Sequence, residues 1–165
     1  MKIILDIGIS KDGFIATKEG NSDWVSKKAE ENFKERVKES GCLFVGRTTF
    51  KQFPDIYPIQ GALNIVISSK SGEDNKNVAF ALSPEEAIKV AEERGITRAI
   101  LAGGAKTVAA FLDKDLVDEI FLTMHQNLEL NEGIRGFTGT LKERAFSEIG
   151  NRELENGVIE EHYSK

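Results

Sequence analysis

Residues 64–125 read NIVISSKSGEDNKNVAFALSPEEAIKVAEERGITRAILAGGAKTVAAFLDKDLVDEIFLTMH. An apolar run starting at Asn64 stops at Ser68-Ser69-Lys70, and a second apolar run leads to Ser83. Ser83-Pro84-Glu85-Glu86 combines an N-cap, a proline at the first helical position and a glutamate three residues after the cap, while Gly95 ends the helix. Arg98–Ala102 reads as a strand, Gly103-Gly104 as a turn, Ala105–Leu112 as a helix and Val117–Thr123 as a buried strand. Repeated strand-to-helix steps of this kind build a parallel sheet whose ligands lie at the carboxyl ends of the strands.

The same step occurs upstream, where the apolar run Cys42–Val45 meets Gly46-Arg47-Thr48-Thr49. Both this turn and Gly103-Gly104-Ala105 sit where a helix begins. Free backbone N–H groups and the positive end of the helix dipole would there face an anion. Two adjacent glycines also let a ligand approach the backbone closely. A dinucleotide fits that pair of cradles.

Met1–Ser10 alternates as a strand, with Ile3, Leu5, Ile7 and Ile9 on one face and Ile4, Asp6, Gly8 and Ser10 on the other. Lys11-Asp12-Gly13 turns the chain. Ser26 caps a helix running to about Ser40, whose Ala29, Phe33 and Val37 form an apolar stripe for the sheet, and Gly41 supplies the stop. Near the end, Phe146–Ile149 and Val158–Tyr163 flank Asn156-Gly157, a hairpin turn pair, and predict an antiparallel edge. The segment Leu128–Leu141 is glycine-rich and poorly periodic.

At 165 residues, 40% apolar and 30% charged, the chain suits one globular domain over residues 1–165. A net charge of -5 argues against a general nucleic-acid or anionic-membrane surface, so basic character for phosphate must be local, from Arg47 and Lys70. A small-molecule partner is expected. The lone Cys42 cannot form an internal disulfide and reads as packing, and no signal-peptide pattern opens the chain, so a cytoplasmic location is expected. No apolar stretch approaches the roughly 20 residues that span a bilayer. No metal site is expected, because His125 and His162 lie far apart in sequence and there is no Cys/His cluster.

Asp6 stands out because a carboxylate in an apolar strand is costly to bury unless it is paired. Either its face lines a wet pocket, or the strand lies at an edge, or a neighbouring Lys or Arg pairs with it. For Trp24, packing in the core is the bland alternative to a binding role. Ser68-Ser69-Lys70 could equally be a solvated strand end.

In order, these features resemble the dihydrofolate reductase fold over nearly the whole chain. They are a first strand, Trp24 before a helix carrying Phe33, Gly46-Arg47-Thr48, Ser68-Ser69, Ser83 before a helix, Gly103-Gly104, and Leu122-Thr123. Within that superfamily, Ser10-x-Asp12-Gly13-Phe14-Ile15-Ala16 and Phe111-Leu112…Leu116-Val117-Asp118-Glu119-Ile120 look more like the reductase domain of the bacterial bifunctional riboflavin-biosynthesis deaminase-reductase. The deaminase's zinc signature, His-x-Glu with Cys-x-x-Cys, is absent, so the chain resembles a stand-alone reductase.

The resemblance implies an α/β fold with a central mostly parallel sheet flanked by helices, a C-terminal antiparallel hairpin, NADPH laid across the strand ends, and a homodimer. It places Gly46, Arg47, Thr48 and Thr49 at the pyrophosphate or 2′-phosphate, and Ser68, Ser69 and Lys70 near the adenosine phosphate. Gly103, Gly104, Ala105, Lys106 and Thr107 would wrap the nicotinamide half, with Gly8, Ile15 and Ala16 flanking its ring. Gly8, Trp24, Phe33 and Thr123 would meet the substrate.

The substrate end departs from both patterns. The acidic residue that follows the tryptophan in folate reductases falls here on Ala29, and Glu30 should point off the apolar stripe, since consecutive helical residues face different ways. The riboflavin-type Thr-x-x-x-Asp-x-Pro is replaced by Thr49-Phe50-Lys51-Gln52-Phe53-Pro54-Asp55, and its later Pro-x-x-x-Gly-x-Gly by residues 126–133. Asp6 is therefore the expected catalytic carboxylate, able to bond an aminopyrimidine edge or relay a proton. The resulting expectation is an NADPH-dependent reductase of a pyrimidine or pterin-like compound, with a riboflavin-pathway ribosylaminopyrimidine phosphate leading. The alternatives are a dihydrofolate or pterin reductase with a relocated acid, and a non-catalytic nucleotide-binding protein of the same fold.

Overall fold

The computed structural model describes residues 1–165. Its elements, in chain order, are β1 (Lys2–Ser10), β2 (Phe14–Ala16), α1 (Lys27–Ser40), β3 (Cys42–Gly46), α2 (Arg47–Gln52), β4 (Leu63–Ile67) and β5 (Val78–Ala81). They continue with α3 (Pro84–Glu93), β6 (Arg98–Leu101), α4 (Ala105–Asp113), β7 (Glu119–His125), β8 (Ile134–Arg135), β9 (Ser147–Glu155) and β10 (Val158–Ser164). One sheet runs β5-β4-β3-β6-β1-β7-β10-β9. Its first six strands are mutually parallel, and β10 pairs antiparallel with both β7 and β9. The fold is thus the mostly parallel α/β sheet with a C-terminal antiparallel hairpin that the resemblance implies.

The alternation of β1 divides the core. Ile3, Leu5, Ile7 and Ile9 pack with Val108, Phe111 and Leu112 of α4 and with Ala87 and Ala91 of α3. Ile4 faces the other way, with Val37 of α1, Leu43 and Val45. Helices therefore cover both faces, as the near-continuous burial of β1 and β3 requires of inner parallel strands. Strand β1 lies between β6 and β7, so Asp6 is not on an edge.

The caps act as their sequence suggests. Ser83 Oγ accepts from the Glu86 amide at 3.2 Å, and Glu86 Oε2 accepts from the Leu82 amide at 2.6 Å, so the glutamate reaches one residue further back than the cap itself. At α1, Ser26 Oγ accepts from the Ala29 amide, and Gly41 closes the helix in the left-handed region at φ 75°.

Three elements differ from their sequence expectation. The last parallel strand occupies Glu119–His125 rather than Val117–Thr123, because Asp118 is spent at the strand entrance, where its Oδ2 accepts from the Ile3 amide at 2.7 Å. Strand β9 runs from Ser147 to Glu155, well past Ile149, held by its ladder to β10 although nearly all its residues are exposed. Within the aperiodic Leu128–Leu141 segment, Ile134–Arg135 pairs with β2 in a small second sheet. Asp12 pins that segment by accepting from the amides of Leu130 and Asn131 at 3.1 and 2.8 Å.

Candidate functional site

A cleft of about 1040 Å³ opens at the carboxyl ends of the parallel strands. All the residues assigned a binding or catalytic role from sequence line it, except Trp24. That includes Asp6, Gly8, Phe33 and Thr123 at one end and the turns after β3, β4 and β6 at the other.

The two glycine turns are pressed together. The Gly46 amide donates to the Gly103 carbonyl at 3.1 Å. A Cβ on Gly46 would overlap Thr107 Oγ1 and come within 3.3 Å of the Gly104 amide nitrogen, while a Cβ on Gly104 would stand 3.0 Å from Thr49 Oγ1. Glycine is thus required for close approach, since Gly46 has an ordinary φ of -71°. Neither Gly46 nor Gly104 caps its helix with a side chain, so the first amides of α2 and α4 are left for an external acceptor. Beside them Arg47 Nη1 lies 3.4 Å from both Ser68 Oγ and the Lys70 carbonyl, and the Lys70 amide donates to Ser68 Oγ at 3.0 Å. Arg47, Lys70 and Lys106 make this end of the cleft basic in a chain of net charge -5.

The other end is aromatic and acidic. Phe33, Phe53, Ile56 and Tyr57 line it together with Asp6 and Glu30. Asp6 is buried and paired: Arg36 Nη1 of α1 donates to its Oδ2 at 2.7 Å. Arg36 Nη2 also forms an ion pair with Glu160 Oε2 on β10 at 2.7 Å. Glu160 Oε1 in turn accepts from Arg152 at 2.9 Å, and the Arg36 guanidinium lies 3.7 Å from the centre of the Phe121 ring. Burial raises the Asp6 carboxyl to about 6, opposed by Arg36 and assisted by the like charge of Glu160. For Arg36 burial works against the charge, but Asp6 and Glu160 together hold its pKa above the ordinary value. Because the guanidinium is shared between two carboxylates, it compensates Asp6 only in part.

Trp24 is displaced from its expected place. The Val25 amide donates to the Ser22 carbonyl, and this turn swings the indole behind the wall, edge-on to His125 with ring centres 5.2 Å apart. Val25 takes the wall position instead, facing Gly8. The His125 ring is itself fixed, because its Nε2 accepts from the Ser26 amide at 2.9 Å and Nδ1 lies 3.1 Å from the Ile9 carbonyl.

Glu30 also departs from expectation, since it lines the cleft. At about 100° per residue it falls only about 20° beyond Val37 on the helical wheel, at the border of the stripe rather than behind it. The sequence offers no comparable signal for Tyr57, whose loop is held by the side chain of Asn64 a few residues on. Buried Asn64 accepts from the Ile59 amide at 2.8 Å and donates to the carbonyls of Ile59 and Ala62, both at 3.0 Å.

A mostly parallel sheet with a strand-end cleft, paired glycine turns and a returning hairpin defines a dihydrofolate reductase-like α/β protein. The chain belongs to the family described as RibD C-terminal domain, which matches residues 1–126. It is 26% identical over 132 residues to the uncharacterized protein YwjB of Bacillus subtilis, covering 74% of this chain and 75% of that one. It is 25% identical over 175 residues to the uncharacterized protein YyaP of the same organism, covering 96% and 92%. Among solved structures, a candidate riboflavin biosynthesis protein from Shewanella sp. PV-4 superposes with a TM-score of 0.78 at 22% identity, over 99% of this chain and 98% of that one. The diaminohydroxyphosphoribosylaminopyrimidine deaminase/5-amino-6-(5-phosphoribosylamino)uracil reductase of Thermotoga maritima gives a TM-score of 0.77 at 18% identity, over 99% of this chain and 56% of that one. No helix is long and apolar enough to cross a membrane.

Proposed function

We propose that the chain is an NADPH-dependent reductase acting on a pyrimidine or pterin-like ring. One observation carries this reading: the Gly46 and Gly104 turns meet in one cleft, each too close to its neighbours to admit a Cβ without displacement, with Arg47 and Lys70 alongside. Backbone approaching that closely, with the first amides of two helices and a guanidinium at hand, suits a pyrophosphate. The exposed Lys70 would meet a 2′-phosphate. When bound, the nicotinamide supplies a hydride, and the reduced centre then needs a proton.

The chain's own task is to bind, orient and protonate. Gly8, Ile15 and Ala16 would bound the ring pocket, and Asp6 is the proton source the geometry favours. Its Oδ2 is held by Arg36, while Oδ1 makes no hydrogen bond within the chain. A carboxyl raised to about 6 holds a proton part of the time near neutral pH. The Thermotoga neighbour is by name an aminopyrimidine reductase, and a ring of that kind is the leading substrate. Glu30 in the cleft favours a second reading, a pterin reductase whose acid sits one residue after Ala29. NADPH titration by nucleotide fluorescence, followed by NADPH oxidation against a panel of pterins, folates and ribosylaminopyrimidines, is the test. Absence of NADPH binding overturns the reading, and binding without turnover of any panel member leaves a nucleotide-binding protein that has lost catalysis.

A further inference from the structure

Two hydroxyl groups at the substrate end are open to the cleft. Tyr57 is 9% exposed and Thr123 2%, both line the cleft, and neither hydroxyl is bonded within the chain or sealed from solvent. Both are therefore open to a ligand's polar atoms. Thr123 lies beside Gly8 in the β1–β7 ladder, and Tyr57, Asp6 and Glu30 line the same cleft. The four groups therefore face one region. Asp6 Oδ1 and one Glu30 oxygen add acceptors there, since Arg36 engages only Oδ2 of Asp6 and Lys34 only Oε1 of Glu30.

The cations near that end are already engaged. Lys34 pairs with Glu30, Arg36 with Asp6 and Glu160, and Lys18 with Glu132 at 2.8 Å. The remaining basic residues lining the cleft, Arg47, Lys70 and Lys106, belong to the glycine turns. A phosphate at the substrate end would face Asp6, Glu30, Asp23 and Glu19, where the one lining cation, Lys18, is exposed and already shared with Glu132. A ring carrying exocyclic amino groups meets the opposite situation, with carboxylate and hydroxyl acceptors for its N–H donors and the walls of Phe33, Phe53, Ile56 and Tyr57 for its faces.

We propose that the substrate is an unphosphorylated, amino-substituted pyrimidine or fused pyrimidine, recognised by Glu30, Tyr57 and Asp6. This rests on the reductase reading for its location but differs from it in what it forbids, a phosphorylated substrate. The test measures binding by calorimetry, with and without NADPH, of 2,4-diaminopyrimidine, of 5-amino-6-ribosylaminouracil and of the 5′-phosphate of that riboside.

The riboside should bind about tenfold or more tightly than its phosphate, and Glu30→Gln should weaken diaminopyrimidine about tenfold. Tyr57→Phe preserves the packing and should weaken it less, by a few-fold at most. The proposal is overturned if the phosphate binds as tightly as the riboside or tighter, if no amino heterocycle binds, or if both variants bind unchanged. Loss of NADPH affinity with the riboside preference intact would count against the reductase reading alone, because the binding comparison is made without the cofactor as well.

Discussion

Replacing Gly46 by alanine separates the packing of the two cradles from their binding role. The backbone at Gly46 has φ -71° and ψ 145°, ordinary extended values, so alanine brings no dihedral strain. The cost is steric. The new methyl would overlap Thr107 Oγ1, sit 3.5 Å from Thr107 Cβ and lie 3.3 Å from the Gly104 amide nitrogen. A helical threonine has two well-populated χ1 wells, so rotation relieves the hydroxyl contact only in part and leaves the backbone contact untouched. Overpacking of this kind costs about 1–3 kcal/mol, which for a domain of this size lowers Tm by about 2–4 °C per kcal/mol. The second substitution Thr107→Ala removes the overlapping atoms and should restore at least half of the lost Tm. NADPH affinity behaves differently: it falls in the single variant because the turns are forced apart, and it stays low in the double variant, which lacks the Thr107 hydroxyl. Thermal denaturation and NADPH titration of the three proteins check this. An unchanged Tm and an unchanged affinity in Gly46→Ala would show that the turns do not meet as described.

Arg47→Ala removes a half-buried charged contact and should weaken NADPH binding about 10–100-fold with the fold intact, as read by titration and circular dichroism; binding within twofold of wild type would exclude Arg47 from the site. Lys70→Ala should lower the NADPH over NADH preference only a few-fold, because the side chain is solvent-exposed and screened, and an unchanged ratio of dissociation constants would remove Lys70 from the adenosine end. Asp6→Asn should reduce turnover far more than NADPH affinity and abolish the limb near pH 6 in the pH–rate profile; full activity on the identified substrate would dismiss Asp6 as the acid. The same residue carries a stability signature. Its folded-state pKa of about 6 exceeds the ordinary 3.8, so the folded protein binds the proton more readily than the unfolded chain, and stability falls as pH rises from 3.8 to about 6. Urea denaturation at pH 5 and pH 7 should show this component in wild type and not in Asp6→Asn.

The parallel part of the fold was legible because its signals are local. The Ser83-Pro84-Glu85-Glu86 start, the Gly41 stop and the two-sided burial of β1 and β3 each follow from short-range chemistry that tertiary contacts then reinforce. The C-terminal hairpin was located by Asn156-Gly157, but the length of β9 was not, since Ser147–Glu155 has no apolar alternation and depends on its neighbour for its conformation. Likewise β8 has two residues and no periodicity to read. Trp24 shows the limit of arguing from order along a chain. The tryptophan holds the expected place in sequence, yet a single turn at Ser22–Val25 exchanges it with Val25 at the cleft wall.

The acid–base part of the site is a subtler case, because its geometry was latent in α1. With Ala29 set at zero on the helical wheel, Phe33 lies at about 40° and Val37 at about 80°, while Glu30 falls at about 100° and Arg36 at about 340°. The two charged residues border the apolar stripe on opposite sides, where a side chain can have its stem on the sheet and its head at the stripe's margin. On one margin Glu30 reaches the open cleft; on the other Arg36 reaches Asp6 and Glu160. Asp6 alone therefore suggested a buried carboxylate in need of a partner, but not which partner, since a one-residue change of helix rotation would bring Glu35 or Val37 to its place. What decides it is the phase of the stripe, fixed by burial of Ala29 and Val37, and that burial depends on where α1 crosses the sheet. Removing the arginine while keeping the stripe, as in Arg36→Leu, would leave Asp6 without its cation and facing Glu160, which keeps only Arg152. Their mutual repulsion would then raise the Asp6 carboxyl further, shifting any Asp6-dependent pH limb to higher pH. A limb that stayed in place in that variant would mean that Arg36 does not control the charge of the cleft.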